Sequence, residues 1–346
     1  MFSVEHYRAL REGAGLLDRS FRGRLRLTGE DRRSYLQGLL TNDIAGLEPG
    51  TGCYAALLTA QGRMVSDMYV METGDAIVMD LEREVTPQIA AHLDRFVITE
   101  DVTVADESER VVQLGVFGPG AAGVVAAAFG AGTAARELEQ MPILANRTMS
   151  AGGSDVVIVR RDEVGVAGFD VMADASRGEQ IALALRRAGA VVVDREAAEV
   201  VRVEAGRPAF LRDMTADTIP LEAGIEDRAI STTKGCYVGQ EIIIRVLHRG
   251  HGRVARRLVG LALDPEAAVP MHGDRIRAGG REIGSVTSAV RSPALDRAIA
   301  LGYVHRDFVE PGTRVVIAGG DSADAAAIVH RLPFVGGLTE PARVAE

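Results

Sequence analysis

Residues 232–246 read TTKGCYVGQEIIIRV and place Cys236 among a cation, two glycines and polar groups, although the chain has only two cysteines. A packing cysteine sits inside an apolar run, so this setting points to a sulfur that is used. Gly235 and Gly239 permit backbone turns and close approach to another group. The run Ile242–Ile244 fits a strand or a helix, and periodicity alone does not separate them. If it is a helix, Cys236 lies at its N-terminus, where the dipole and free N–H groups favour a thiolate and Lys234 adds to the effect. That setting suits a nucleophilic, redox-active or metal-touching sulfur. The alternative is a small residue packed under a turn.

Working outward, 346 residues imply two or three domains. A net charge of −9 argues against broad phosphate-backbone binding, so no direct nucleic-acid partner is expected. It leaves room for a local basic pocket. The start MFSVEHYRALREG does not read as a signal peptide, and no run of 18 apolar residues spans a membrane. Two cysteines make no disulfide framework and fit a reducing cytoplasm. The absence of Trp, with aromatics at 4%, excludes wide stacking platforms. No Walker A, dinucleotide glycine motif or HExxH is present. His248 and His251 have a metal-like spacing but no second pair of ligands nearby, so no metal site is expected. The two cysteines cannot supply the four thiolates of an Fe–S cluster. In QGRMVSDMYV, Asp67 sits among apolar residues. It must face solvent, pair with a cation or hold a ligand.

The period-2 segment RGRLRLT predicts a strand over 22–28, and the spacing of Tyr35, Leu36, Leu39 and Leu40 a helix within 30–40. Three apolar runs between Cys53 and Leu81 predict an antiparallel meander. Thr86–Pro87 predicts an N-cap with Pro at the first helical position, opening a helix to Phe96. Strand-like 111–117 leads to an Ala-rich helix near 121–129. Strands at 156–160, 169–172 and 190–193 alternate with helices at 179–188 and 195–204. The mixture predicts an α+β fold. After Gly250 six short apolar segments separated by turns predict a small β-barrel or sandwich, with a domain boundary near 250. The expected division is therefore 1–249 and 250–335.

The octapeptide KGCYVGQE at 234–241 matches the signature of the YgfZ family of folate-binding, GcvT-like proteins. Segments 16–43, 54–70, 93–106, 202–231 and 284–304 resemble that superfamily, which includes the aminomethyltransferases, so the resemblance covers nearly the whole chain. It implies a three-lobed α+β fold with two ferredoxin-like N-terminal parts and a C-terminal β-barrel. It also implies tetrahydrofolate, or a one-carbon-substituted folate, in a central channel. Carried over residue by residue, Asp67 aligns with the transferases' functional aspartate, with Ser66 in place of the aspartate before it. Asp170 aligns with their pterin-holding glutamate. Ala198 stands where they carry an arginine, while Arg202, Glu204 and Gly206 match their Arg-x-Glu-Ala-Gly segment. Lys234, Gly235, Tyr237, Gly239, Gln240 and Glu241 belong to the signature and are expected to bind the folate, with Cys236 close by in the channel.

The resemblance thus implies a tetrahydrofolate-dependent factor for assembly, maintenance or repair of Fe–S proteins. Its partners would be Fe–S client or assembly proteins, including enzymes that modify tRNA. The alternative is an aminomethyltransferase of the glycine cleavage type, which moves a one-carbon unit to tetrahydrofolate. A folate-binding scaffold without chemistry is a third reading.

Overall fold

The computed structural model describes residues 3–130, 134–151, 154–249, 253–319 and 323–336. Its first sheet has the strand order Gly52–Leu58, Met64–Glu72, Ile77–Leu81, Gly23–Thr28, Thr103–Asp106, all antiparallel. Helix Arg32–Gln37 leaves Gly23–Thr28, and helix Thr86–Phe96 joins Ile77–Leu81 to Thr103–Asp106. Gly52–Leu58 adds an edge strand to what is otherwise a ferredoxin-like β-α-β-β-α-β path. Leu25, Leu27, Met68, Val70, Ile77 and Met79 form the face that the two helices cover. The expected meander is present. The helix at 86 begins one residue earlier than expected: Val85 is its N-cap, because a 3₁₀ turn over Arg83–Val85 leads directly into it.

The second sheet repeats the plan in the order Val191–Val192, Gly15–Asp18, Val111–Phe117, Gly168–Asp174, Ser154–Arg161, Asn146–Ala151. Helices Ala121–Phe129 and Gly178–Arg187 cover its apolar face. Gly15–Asp18 is inserted within this sheet and pairs in parallel with Val191–Val192. A four-residue GLLD run shows no alternation, so it is not visible as a strand in the sequence.

The polar faces of the two sheets meet each other rather than water. Arg24, which alternation alone would send to solvent, is 1% exposed and donates to the side-chain oxygen of Gln113 in the second sheet. Gln113 Nε2 donates in turn to Asp80 at 3.0 Å and to Asp170 at 2.6 Å. Buried charges of this kind need ion-pair partners, and Arg19 and Arg161 lie against Asp170 and Arg22 against Asp80.

The third body is a closed six-stranded antiparallel barrel. Its order is Arg256–Leu263, Arg297–His305, Arg281–Ser292, Arg275–Ala278, Arg314–Ala318, Ala325–His330. All six apolar segments beyond 250 are strands, and closure removes their edges. Leu258, Val290, Ile299 and Leu301 turn outward and pack on helix Arg195–Glu204. The boundary residue Gly250 and His251 lie outside the described residues, as does the side chain of His248.

Candidate functional site

Strand Met64–Glu72 sends Met68 and Val70 into the helix-covered core, so Asp67 and Tyr69 point the other way. There they meet a cavity of about 380 Å³ between the two sheets and helix Arg195–Glu204. Its wall carries five carboxylates, Asp67, Glu82, Glu84, Glu163 and Glu199, together with Arg202 and Ala198. A volume of this size lies at the small end of ligand pockets.

Asp67 is 8% exposed, and burial pushes its carboxyl up to about 6 from an ordinary value of 3.8. Two interactions hold it back from rising further. The Tyr54 hydroxyl donates to Oδ2 at 2.6 Å, and the Arg22 charge lies nearby. Tyr54 faces Asp67 because it lies on the neighbouring strand of the same hairpin. Its ring sits 5.0 Å from that of Tyr69 and beneath the Arg228 guanidinium. Ser66 is buried and donates to the Asp67 carbonyl at 2.9 Å.

Glu163 comes from the turn between Ser154–Arg161 and Gly168–Asp174. Burial disfavours its charge, but Arg161, Arg19 and Arg22 outweigh that and hold its carboxyl below the usual range. Oε1 accepts from Arg19. Oε2 lies 3.3 Å from Arg161 Nη2, yet no hydrogen bond reaches this buried oxygen. Arg202 is pinned by Glu199 at 2.6 and 2.8 Å, by Asp213 at 2.7 Å and by Ser288 at 2.8 Å, so it shapes the wall without swinging.

Asp67 and Arg202 are the expected site residues that line this cavity. Asp170 does not line it. It is fully buried in the sheet–sheet network, bonded to Arg161 Nε at 2.6 Å and to Gln113. Glu204 is likewise fully buried and accepts from Tyr7, Arg11 and the Ser292 hydroxyl, joining the N-terminal helix Val4–Glu12 to the barrel. The signature residues are not in the wall either. Lys234 Nζ donates to the carbonyls of Gln37, Leu40 and Asn42 at 2.6, 2.6 and 3.0 Å, closing the end of helix Arg32–Gln37. Burial lowers its ammonium to about 8. Gly239 adopts φ +84° and packs where a Cβ would meet the Thr59 carbonyl at 2.5 Å. Tyr237 is in an apolar core, Gly235 and Glu241 are exposed, and Gln240 opens a five-residue helix, Gln240–Ile244. Cys236 is exposed, four residues before that helix, so the expected helix-terminus activation does not apply.

Glu163, Glu199 and Tyr54 are not marked as site residues by the sequence. The only signal for Glu163 is the charged run RRDE at 160–163, which ends a strand pattern at the turn-forming Asp162.

The GCVT N-terminal domain family matches residues 2–234, and the glycine cleavage T-protein C-terminal barrel domain matches residues 256–335. The chain belongs to the glycine cleavage T-protein family. It is 30% identical over 331 residues to the aminomethyltransferase of Thermosynechococcus vestitus, covering 96% of this chain and 87% of the relative. It is 31% identical to the aminomethyltransferase of Rubrobacter xylanophilus, covering 91% and 82%. The crystal structure of the glycine cleavage system aminomethyltransferase T from Bartonella henselae superposes with a TM-score of 0.84 at 24% identity, covering 96% of this chain and 89% of that one. That likeness shows the three-lobed fold expected from the sequence. These relatives are named as aminomethyltransferases, not as members of the YgfZ branch that the signature suggested. Among the described residues no helix is long and apolar enough to cross a membrane.

Proposed function

We propose that the chain is a tetrahydrofolate-dependent transferase of the aminomethyltransferase type, acting at the Asp67 cavity. The observation that carries this reading is a carboxyl held near neutrality by burial, in the wall of a pocket between the two sheets. Such a group takes up and gives back a proton at physiological pH. At pH 7 Asp67 is mostly ionised, and Tyr54 fixes the direction of Oδ1 by occupying Oδ2. An amine N–H at the cavity wall then meets an acceptor of set orientation.

The Glu163 carboxylate, also on this wall, suits the amino and ring N–H donors of a pterin, because an ionised carboxylate only accepts. Glu199, on the same wall, is engaged by Arg202 and Arg212 and holds that side of the cavity in shape. When bound, the folate supplies the nitrogen that carries the one-carbon unit. Residues 1–249 would hold this site and 250–335 would form the barrel that closes it. The decisive test measures tetrahydrofolate binding and methylene transfer from an aminomethylated lipoyl carrier, for the wild type and Asp67→Asn. Transfer in the wild type, lost in the variant while the folate still binds, is expected. Wild-type protein that binds no tetrahydrofolate overturns the reading.

One observation favours a second reading, service to Fe–S client proteins in the manner of the YgfZ branch. The KGCYVGQE segment is anchored by Lys234 and Gly239, yet leaves the Cys236 thiol exposed to a visiting protein. Cells carrying Cys236→Ala should then lose Fe–S enzyme activity, including tRNA modification, with folate binding intact. Unchanged client activity removes this reading.

A further inference from the structure

A second cavity, about 800 Å³, lies behind the Asp67 site at the junction of the barrel and the helical body. The segment Arg207–Ala209 separates the two: Pro208 lines both, Val164 faces the smaller cavity and Gly165 the larger. Among the described residues four arginines line the larger one, Arg207, Arg228, Arg257 and Arg331, and no carboxylate does. That is unexpected in a chain of net charge −9.

The carboxylates just outside the lining do not neutralise this charge. Asp162 accepts from Arg207 at 2.7 Å and from Arg228 at 3.4 Å, so two guanidiniums share one anion. Glu226 pairs with Arg257 at 3.1 Å. Arg331 makes no ion pair among the described residues. Among the described residues two carboxylates pair with these four guanidiniums and Glu163 adds its pull on Arg228, so a net positive charge still faces a cavity whose remaining wall includes Leu258, Val259, Val309 and Leu332. Low-dielectric walls concentrate such a field, and guanidinium forks match carboxylate and phosphate oxygens.

We propose that this cavity binds an organic dianion, a dicarboxylate or phosphate monoester whose apolar part rests on the barrel residues. The inference stands on this wall alone and holds whether or not the smaller cavity takes a folate. The dianion has two possible sources: a free small molecule, or the two carboxylates of a glutamyl group carried by a ligand in the adjoining cavity.

Isothermal titration of the full chain with glutarate and with phenyl phosphate, in chloride-free buffer, tests it. One saturable site is expected. Arg331→Gln and Arg257→Gln should each weaken binding roughly tenfold, as loss of a charge-assisted hydrogen bond does. Both side chains are exposed, so unchanged melting temperatures will show that the variants fold. Repeating the glutarate titration with tetrahydrofolate present separates the sources. Competition assigns the site to the glutamyl group and independent binding to a free dianion, and either supports the proposal. Absence of a saturable site for both probes, or equal binding by the wild type and both variants, overturns it.

Discussion

Replacing Asp67 by Asn should stabilise the protein while abolishing transfer. Asp67 titrates near 6 in the fold, against an ordinary 3.8, and burial is the main cause. Between those two values the folded chain binds a proton that the unfolded chain has released, so stability falls as pH rises through this window. Each pH unit corresponds to about 1.4 kcal/mol, so by pH 7 ionised Asp67 costs the fold about 3 kcal/mol. Asn has nearly the same shape and no charge to desolvate. At pH 7 the variant should therefore resist denaturation by up to about 3 kcal/mol more than the wild type, and the difference should vanish below about pH 4. Urea titrations of both proteins at several pH values between about 3.5 and 8 give the comparison, provided the barrel and the body unfold in one transition. If the Asn variant gains nothing at pH 7, or its advantage is the same at every pH, Asp67 is not held as an uncompensated buried charge and loses the role given to it.

Tyr54→Phe removes the donor at Asp67 Oδ2. A hydrogen bond to a charged group is worth about 1.5–3 kcal/mol, so the Asp67 carboxyl should move up by roughly 1–2 pH units, and the acid limb of the transfer profile with it. Glu163→Gln should weaken tetrahydrofolate binding roughly tenfold in a direct titration, since an acceptor-only carboxylate on the wall becomes an amide. Cys236→Ala should leave tetrahydrofolate affinity unchanged, because the thiol is not part of the cavity wall. Glu204→Gln should destabilise the fold by about 3 kcal/mol or more in denaturant titrations. It leaves the Arg11 guanidinium without its buried partner and loosens the barrel from the N-terminal helix.

The regular elements were legible where period and composition agreed. The strand over 23–28, the meander, the Ala-rich helix and the six barrel strands all followed from local pattern. Gly15–Asp18 and Asn146–Ala151 were not, because short strands take their identity from the neighbours they pair with. The site was legible by half. Asp67 stands out as a carboxylate inside an apolar run, and Arg202 within a matched segment. Asp170 has an acidic side chain at the aligned position, yet arginines 19 and 161 and Gln113 hold it in the layer between the sheets. No sequence feature says whether a carboxylate on a strand faces a cavity or a sister sheet. The glycines of KGCYVGQE suggested close approach to a ligand, and at Gly239 that approach is real. Its neighbour, however, is the chain itself: the Thr59 carbonyl, the Leu58 side chain and the Gly62 backbone.

The carboxylates around the cavity divide by what surrounds them, and the division argues for the role given to Asp67. Asp80 and Glu163 are as deeply set as Asp67, and burial disfavours the charge on all three. At Asp80, Arg22, Arg161, Arg19 and Arg24 reverse that effect and drive the carboxyl far down. At Glu163 three of the same arginines do so. Asp67 receives one tyrosine hydroxyl and the more distant pull of Arg22, and its carboxyl stays high. A fold that places four guanidiniums between its sheets could have brought one to Asp67 and did not. Structural carboxylates are held ionised by paired cations, whereas a group that must exchange a proton near neutrality cannot be. The shortage of cations at Asp67, beside their abundance at Asp80, is the feature on which its proposed reacting role rests.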